Sequence, residues 1–309
     1  TYTVVSGNDD RTAGQTPVSI ILTDSAGNTN SAHTALIETN ALVIDANAPA
    51  ATTSLTIPGG TAKVGTVITI TIVASEAGLT CTTCTLNGVA LAAFALSSGT
   101  TYTATYTVVE GNADRTAGNT PVSVTLTDAA GNSNAARTTL VESSAQTIDA
   151  NSPAATTSVT GTADSLGVGD TITLTIVASE TSLTCSACTM NSGTLTSFAA
   201  GSGTTYTAVY TVAEGQTDRA ASASNFISIV LSDAAGNTNA AFVTLTESGG
   251  AITIDANTPV ITSATVAGGT KKIGDVITVT VAADAAGYTL SAGTVNGVAV
   301  AAFNDAGSG

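Results

Sequence analysis

Apolar and polar residues alternate with a period of two along most of the chain. In V-I-T-I-T-I-V, Ile68, Ile70 and Ile72 share a face while Thr69 and Thr71 point away, and Ile172, Leu174, Ile176 and Ile277, Val279, Val281 repeat the pattern. In P-V-S-V-T-L-T-D, Val122, Val124 and Leu126 form a second inward row, matched by Val18, Ile20, Leu22 and by Ile227, Ile229, Leu231. Tyr102, Ala104, Tyr106 and Val108 form a third, repeated at Tyr206, Ala208, Tyr210 and Val212. No segment carries the 3.6-residue period of a helix. Alternation of this kind predicts half-buried antiparallel strands with Thr-rich solvent faces.

The rows recur because the chain repeats itself. T-Y-T-V-V-S-G-N-D-D-R at Thr1 returns as T-Y-T-V-V-E-G-N-A-D-R at Thr105 and as V-Y-T-V-A-E-G-Q-T-D-R at Val209, each 104 residues on. D-x-A-G-N begins at Asp24, Asp128 and Asp233, and I-D-A-N begins at Ile44, Ile148 and Ile254. A unit of about 104 residues has the length of an independently folding domain. Pro49, Pro153 and Pro259 follow I-D-A-N closely and mark linkers. This frame gives a C-terminal half-domain over 1–45, complete domains over 46–149 and 150–255, and an N-terminal half-domain over 256–309.

One complete unit reads as seven strands, near 50–57, 64–75, 79–86, 88–95, 101–109, 120–128 and 136–148. The predicted fold class is therefore all-β, with tandem immunoglobulin-like sandwiches. The two ends are complementary, since 256–309 supplies strands one to four and 1–45 most of strands five to seven. A half-sandwich exposes an apolar face and open sheet edges. Head-to-tail completion, by an identical subunit or by flanking repeats of a continuing chain, is the expected remedy.

Composition narrows the partners. Twenty-two acidic residues against 7 basic ones give a net charge of −15, which excludes a polyanion-binding surface and argues against nucleic acid. Lys63 and the Lys271–Lys272 pair are too few to form one. No apolar run reaches the ~18 residues of a membrane span, so no membrane insertion is expected within this segment. The single histidine, His33, has no Ser/Asp constellation repeated around it, and no catalytic residues are assigned: the chain reads as a non-enzyme.

Strand parity places candidate chemistry. If strand one leaves the N-terminal pole, every even strand returns there, so Asp45, Asn47, Glu76, Asp128 and Asn132 converge at one junction. Asp149, Glu180, Asp233 and Asn237 converge at the next, and Asp255 opens a third. Oxygen ligands from several loops suit Ca²⁺, which takes 6–8 oxygens. The same Asp and Asn residues are good turn formers in their own right. Asp10–Arg11, Asp114–Arg115 and Asp218–Arg219 recur in every copy, as a ligand anchor or, on the simpler reading, as a structural ion pair or loop anchor.

Cys81-Thr-Thr-Cys84 and Cys185-Ser-Ala-Cys188 stand in equivalent places, while the third copy reads Leu290-Ser-Ala-Gly293. The pairs lie too far apart to form one Cys₄ zinc site, and no thioredoxin-like helix follows either. A local disulfide in an oxidising exterior is the favoured reading, needing a tight turn at Thr82–Thr83. Free thiols or cross-links between chains are the alternatives.

D-A-A-G-N in a loop with I-D-x-x-x-P at the linker resembles the tandem bacterial Ig-like repeats of giant surface adhesins and extracellular filament proteins. The resemblance spans two full and two half units. It implies Ca²⁺ at interdomain junctions, held by Asp45 with Asp128 and by Asp149 with Asp233. It also implies an extracellular, cell-surface stalk or filament. Two rival functions remain: an adhesin module recognising glycan or host protein through polar loops, and a spacer of a larger secreted enzyme.

Overall fold

The computed structural model describes residues 1–50, 54–142, 145–154, 156, 158–221, 226–305 and 307. They form strands, turns and bends, with no helix among them. Contacts group the chain into two units, residues 1–152 with the loop 233–237, and residues 153–232 with 238–309.

The first unit contains β1 (Ser54–Ile57), β2 (Gly60–Lys63), β3 (Val67–Val73), β4 (Thr80–Leu86), β5 (Val89–Ala90), β6 (Ala92–Ser98), β7 (Thr101–Thr107), β8 (Val122–Thr127), β9 (Val141–Glu142) and β10 (Gln146–Asp149). One sheet runs β6-β7-β3-β1-β9 and the other β5-β4-β8, with β10 paired to β2. This is the strand arrangement of an immunoglobulin-like sandwich. The second unit repeats it with β11 (Ser158–Leu166), β12 (Thr171–Val177), β13 (Thr184–Met190), β14 (Gly193–Thr194), β15 (Thr196–Ala200), β16 (Thr205–Thr211), β17 (Ile227–Ser232) and β18 (Thr246–Ile254). Its sheets run β15-β16-β12-β11-β18 and β14-β13-β17.

The alternating rows become the core. Leu55, Ile68, Ile70 and Ile72 face Leu86, Val124 and Leu126, with Tyr102 and Tyr106 between the layers. Each such side chain contributes about 1.5–3 kcal/mol on leaving water. Leu174, Ile176, Met190, Tyr206, Tyr210, Ile229 and Leu231 build the matching core of the second unit.

The ladders differ from the expected antiparallel scheme at one edge, where β1 and β9, β2 and β10, and β11 and β18 pair in parallel. The cause is parity: the first and seventh strands leave the same pole, so they run the same way when they meet. Pro58, lacking an N–H, and Gly60, at φ 118°, let the chain leave the β3 ladder and resume beside β10. The second copy has no proline there, and β11 stays one strand with a register shift between Thr162 and Asp164.

Strand bounds also shift. The strand predicted over 88–95 splits into β5 and β6, whose Ala93 takes a left-handed φ of 51°. That over 64–75 contracts to β3, and that over 136–148 shortens to β9 and β10. Residues 51–53 of the first predicted strand and 143–144 of the last lie outside the described residues.

The half-repeats hold less regular structure than predicted. Within 1–45 the strands expected there appear as isolated bridges, Arg11 with Ile44, Ile20 with His33 and Thr23 with Thr29. In a complete repeat the equivalent of residues 18–23 is β8, which ladders onto β4, and 1–45 has no β4 counterpart of its own. Residues 256–309 form β19 (Ile261–Val266), β20 (Val279–Ala283), β21 (Thr294–Val295) and β22 (Val298–Ala299) as two separate hairpin pairs. Their apolar rows are open: Tyr2 is 66% exposed where Tyr106 is 1%, and Val279 is 36% exposed where Ile70 is 0%.

Candidate functional site

After β8 the chain reverses through Asp128–Asn132. Asp128 Oδ1 accepts the N–H groups of Ala130, Gly131 and Asn132 at 2.9, 2.8 and 2.9 Å, and Oδ2 accepts Asn132 Nδ2–H at 3.0 Å. Gly131 sits at φ 98°, which lets the loop close on the carboxylate. Burial pushes the Asp128 carboxyl up, but the bonds from Asn132, Gly131 and Ala130 together outweigh it and hold the carboxyl below its ordinary range. Asp24 is lowered likewise, first by the Asn28 side chain and then by the Asn28 amide. Asp233 accepts the N–H groups of Gly236 and Asn237 in the same way.

A second asparagine completes the hairpin. Asn134 is buried, its Oδ1 accepting Leu126 N–H and its Nδ2 donating to the Ala135 carbonyl. Asn239 and Asn30 make the same bonds. The motif is D-x-A-G-N-x-N, and this last residue, not singled out in the sequence, recurs with the same spacing.

The Asp of each Asp-Arg pair anchors the linker. Ala46 N–H and Asn47 Nδ2–H donate to Asp10, Ala150 N–H and Asn151 Nδ2–H to Asp114, and Ala256 N–H and Asn257 Nδ2–H to Asp218. Those bonds, the Ala46 amide first, lower the Asp10 carboxyl. Each Arg backbone bridges the Ile of I-D-A-N, Arg11 with Ile44, Arg115 with Ile148 and Arg219 with Ile254. The guanidinium groups differ: Arg11 pairs with Asp9 at 2.6 Å, Arg115 Nε–H donates to Asn87 Oδ1 at 2.6 Å, and Arg219 pairs with Glu247 over the Phe226 ring. Glu110 and Glu214 add acceptors for Ser152 and Thr258 beyond the linker, roles also not read from the sequence.

The remaining predicted acids fall as follows. Asn132 Nδ2–H reaches the Asp45 carbonyl at 3.2 Å, and Asn237 Nδ2–H reaches both the carbonyl and the carboxylate of Asp149 at 3.2 Å. Asn237 Oδ1 accepts Val64 N–H at 2.9 Å, and Lys63 Nζ donates to the Gly236 carbonyl at 2.7 Å. Glu76 and Glu180 take part through their carbonyls, which accept the Tyr102 and Tyr206 hydroxyls. Asp255 donates its N–H to Leu166 and accepts from Asn257. Parity thus brings linker and hairpin together through amides and carbonyls.

The Asp149 carboxyl is raised above its ordinary value. Burial is the main cause, and repulsion from Asp233, Asp114 and Glu110 adds to it against the opposing Asn151 amide. Among the described residues no three His, Cys, Asp or Glu side chains group closely enough to hold a metal ion. The oxygens of Asp128 are already occupied by N–H donors of the loop. A calcium cage needs converging oxygens, and at Asp128 the donors present fit a hydrogen-bonded turn rather than the ion.

Both cysteine pairs are disulfides, Cys81–Cys84 and Cys185–Cys188. The turn expected at Thr82–Thr83 is replaced by a bulge inside β4: Cys81 pairs with Leu126 and Thr83 with Thr125, leaving Thr82 unpaired. Residues i and i+3 of a regular strand point to opposite faces about 10 Å apart. The extra residue puts both cysteines on one face with Cα atoms 6.1 Å apart, within bridging range. Ser186 plays the same part in β13.

Residues 149–249 match the family model described as a bacterial Ig-like domain. No curated protein matches the chain. Among solved structures, the I9–I11 tandem of titin is similar at 11% identity over 65% of this chain and 66% of its own length, with a TM-score of 0.25. A chimeric titin Z1Z2 carrying an exogenous decorin peptide is similar at 11% identity over 65% of this chain and 97% of its own, with a TM-score of 0.22. The chain thus spans just under two thirds of the I9–I11 tandem.

Proposed function

We propose that this chain is an extracellular, cell-surface structural module, a stretch of stalk or filament built from head-to-tail Ig-like domains. The half-repeats 1–45 and 256–309 are completed by complementary halves, from a neighbouring subunit or from a continuing chain. One observation carries this reading: the rows buried in the complete repeats are open in the half-repeats, with Leu22 69% exposed against 1% for its counterpart Leu126. Two disulfides support an oxidising exterior. The match to a bacterial Ig-like domain supports a load-bearing or adhesive role over a catalytic one. Among the described residues no helix is long and apolar enough to cross a membrane.

The mechanism is mechanical. Sandwiches supply length, while hairpin asparagines and linker-anchoring aspartates fix the chain entering and leaving each one. Electron microscopy of the concentrated chain tests the reading: filaments with a repeat of domain size support it. Dispersed particles at every concentration contradict it.

A further inference from the structure

We propose that the Lys272–Ile273–Gly274 turn is a docking site for the Asp128–Asn132 hairpin of a second copy of this chain. Lys272 Nζ donates to the Gly131 carbonyl, and Ile273 N–H donates to Asn132 Oδ1. The proposal rests on the head-to-tail reading and deepens it to individual atoms.

The template lies within the first unit. There the Asp233–Asn237 hairpin is held at three points: Lys63 Nζ to the Gly236 carbonyl at 2.7 Å, Val64 N–H to Asn237 Oδ1 at 2.9 Å, and Asn237 Nδ2–H to the Asp149 carbonyl at 3.2 Å. The Asp128–Asn132 hairpin has the same internal bonds and makes the third of these contacts, Asn132 Nδ2–H to the Asp45 carbonyl, also at 3.2 Å. The turn that would supply the other two has the sequence Lys-Val-Gly at 63–65, and its counterpart in the last repeat is Lys272-Ile273-Gly274, before V-I-T-V-T.

The two turns are also alike in conformation. Gly65 and Gly274 sit at φ 86° and 93°. Lys63 N–H donates to Thr66 Oγ1 while Thr66 N–H returns to the Lys63 carbonyl, and Lys272 does the same with Asp275. The receptor is therefore shaped before any partner arrives, and its Ile273 is fully exposed. Lysine is not required by the turn itself, because the middle repeat carries Gly167-Val168-Gly169 at this place. When residues 256–309 of one copy complete residues 1–45 of the next, Lys272 meets Asp128–Asn132 of that next copy as Lys63 meets Asp233–Asn237. Asp45, with Asn132 already bonded to it, then closes the third point.

Sedimentation velocity of the full chain over a dilution series tests this with Lys272→Ala, and with Lys271→Ala as the neighbouring-charge control. A charge-assisted bond of this kind predicts self-association weakened about tenfold by Lys272→Ala and unchanged by Lys271→Ala. If wild type associates and Lys272→Ala associates equally, or both variants weaken alike, the docking is refuted while the head-to-tail reading stands. If wild type stays monomeric throughout, both are refuted.

Discussion

Tyr206 illustrates how single residues set the geometry of these sandwiches. Its ring stacks on Phe198 at 5.0 Å, and its hydroxyl accepts Leu183 N–H and donates to the Glu180 carbonyl, bridging a loop to the core. Tyr102 does the same with Phe94, Leu79 and Glu76. Tyr206→Phe leaves the buried Leu183 amide without that acceptor, a loss of about 1–3 kcal/mol. A urea midpoint unchanged from wild type would show that the bridge contributes nothing. Asp149 behaves in the opposite sense. A carboxyl raised above 3.8 stabilises the fold fully below that value and loses the contribution as pH rises through its folded pKa. The lowered Asp128 stabilises above 3.8 and loses its contribution as pH falls through its folded pKa. Asp149→Asn keeps an oxygen for Asn237 and Asn151 while removing the partly buried charge. Its melting temperature at pH 7 should equal or exceed that of wild type and be indifferent to chelator. A lower value, with wild type itself weakened by chelator, would mean that a cation holds this carboxylate after all.

At the scale of elements, the bulges in β4 and β13 show what a disulfide adds to a strand. The third copy has Leu290 and Gly293 at these places, so the bridge is not common to every repeat, and where present it adds stability. Closing so short a loop is worth about 2 kcal/mol in the chain-entropy model. Replacing Cys81 and Cys84 together by Ala should lower the unfolding free energy from denaturant titration by that much and keep the β-sheet circular dichroism spectrum. Loss of the spectrum would contradict it. Much of this architecture was legible beforehand, because period-two rows such as Ile68, Ile70, Ile72 dictate faces, and repeats dictate spacing. The bulge was not, since one unpaired residue, Thr82, leaves no mark in a run of Thr and Cys. The site was half legible. Asp128 and Asn132 were singled out, but their oxygens close a turn, and sequence alone does not tell an amide-saturated carboxylate from one free for an ion. The anchoring role of Asp10, Asp114 and Asp218 depends on linker amides some 36–38 residues away, beyond any local pattern.

For the whole molecule, the proposed completion rests on the contrast between closed and open rows. Residues that are buried in the complete repeats recur, nearly unchanged, as exposed rows at 1–45 and 256–309, and each set is what the other would need to become a sandwich. Copies of the chain are enough to test this, because either source of the missing halves would present the same complementary sequences. Mixed isotopically light and heavy chains, concentrated, cross-linked and read by mass spectrometry, give the most direct measurement. The account predicts abundant light–heavy links joining residues 1–45 of one copy to residues 256–309 of another. Links confined to single chains, or joining like segments to like, would contradict it.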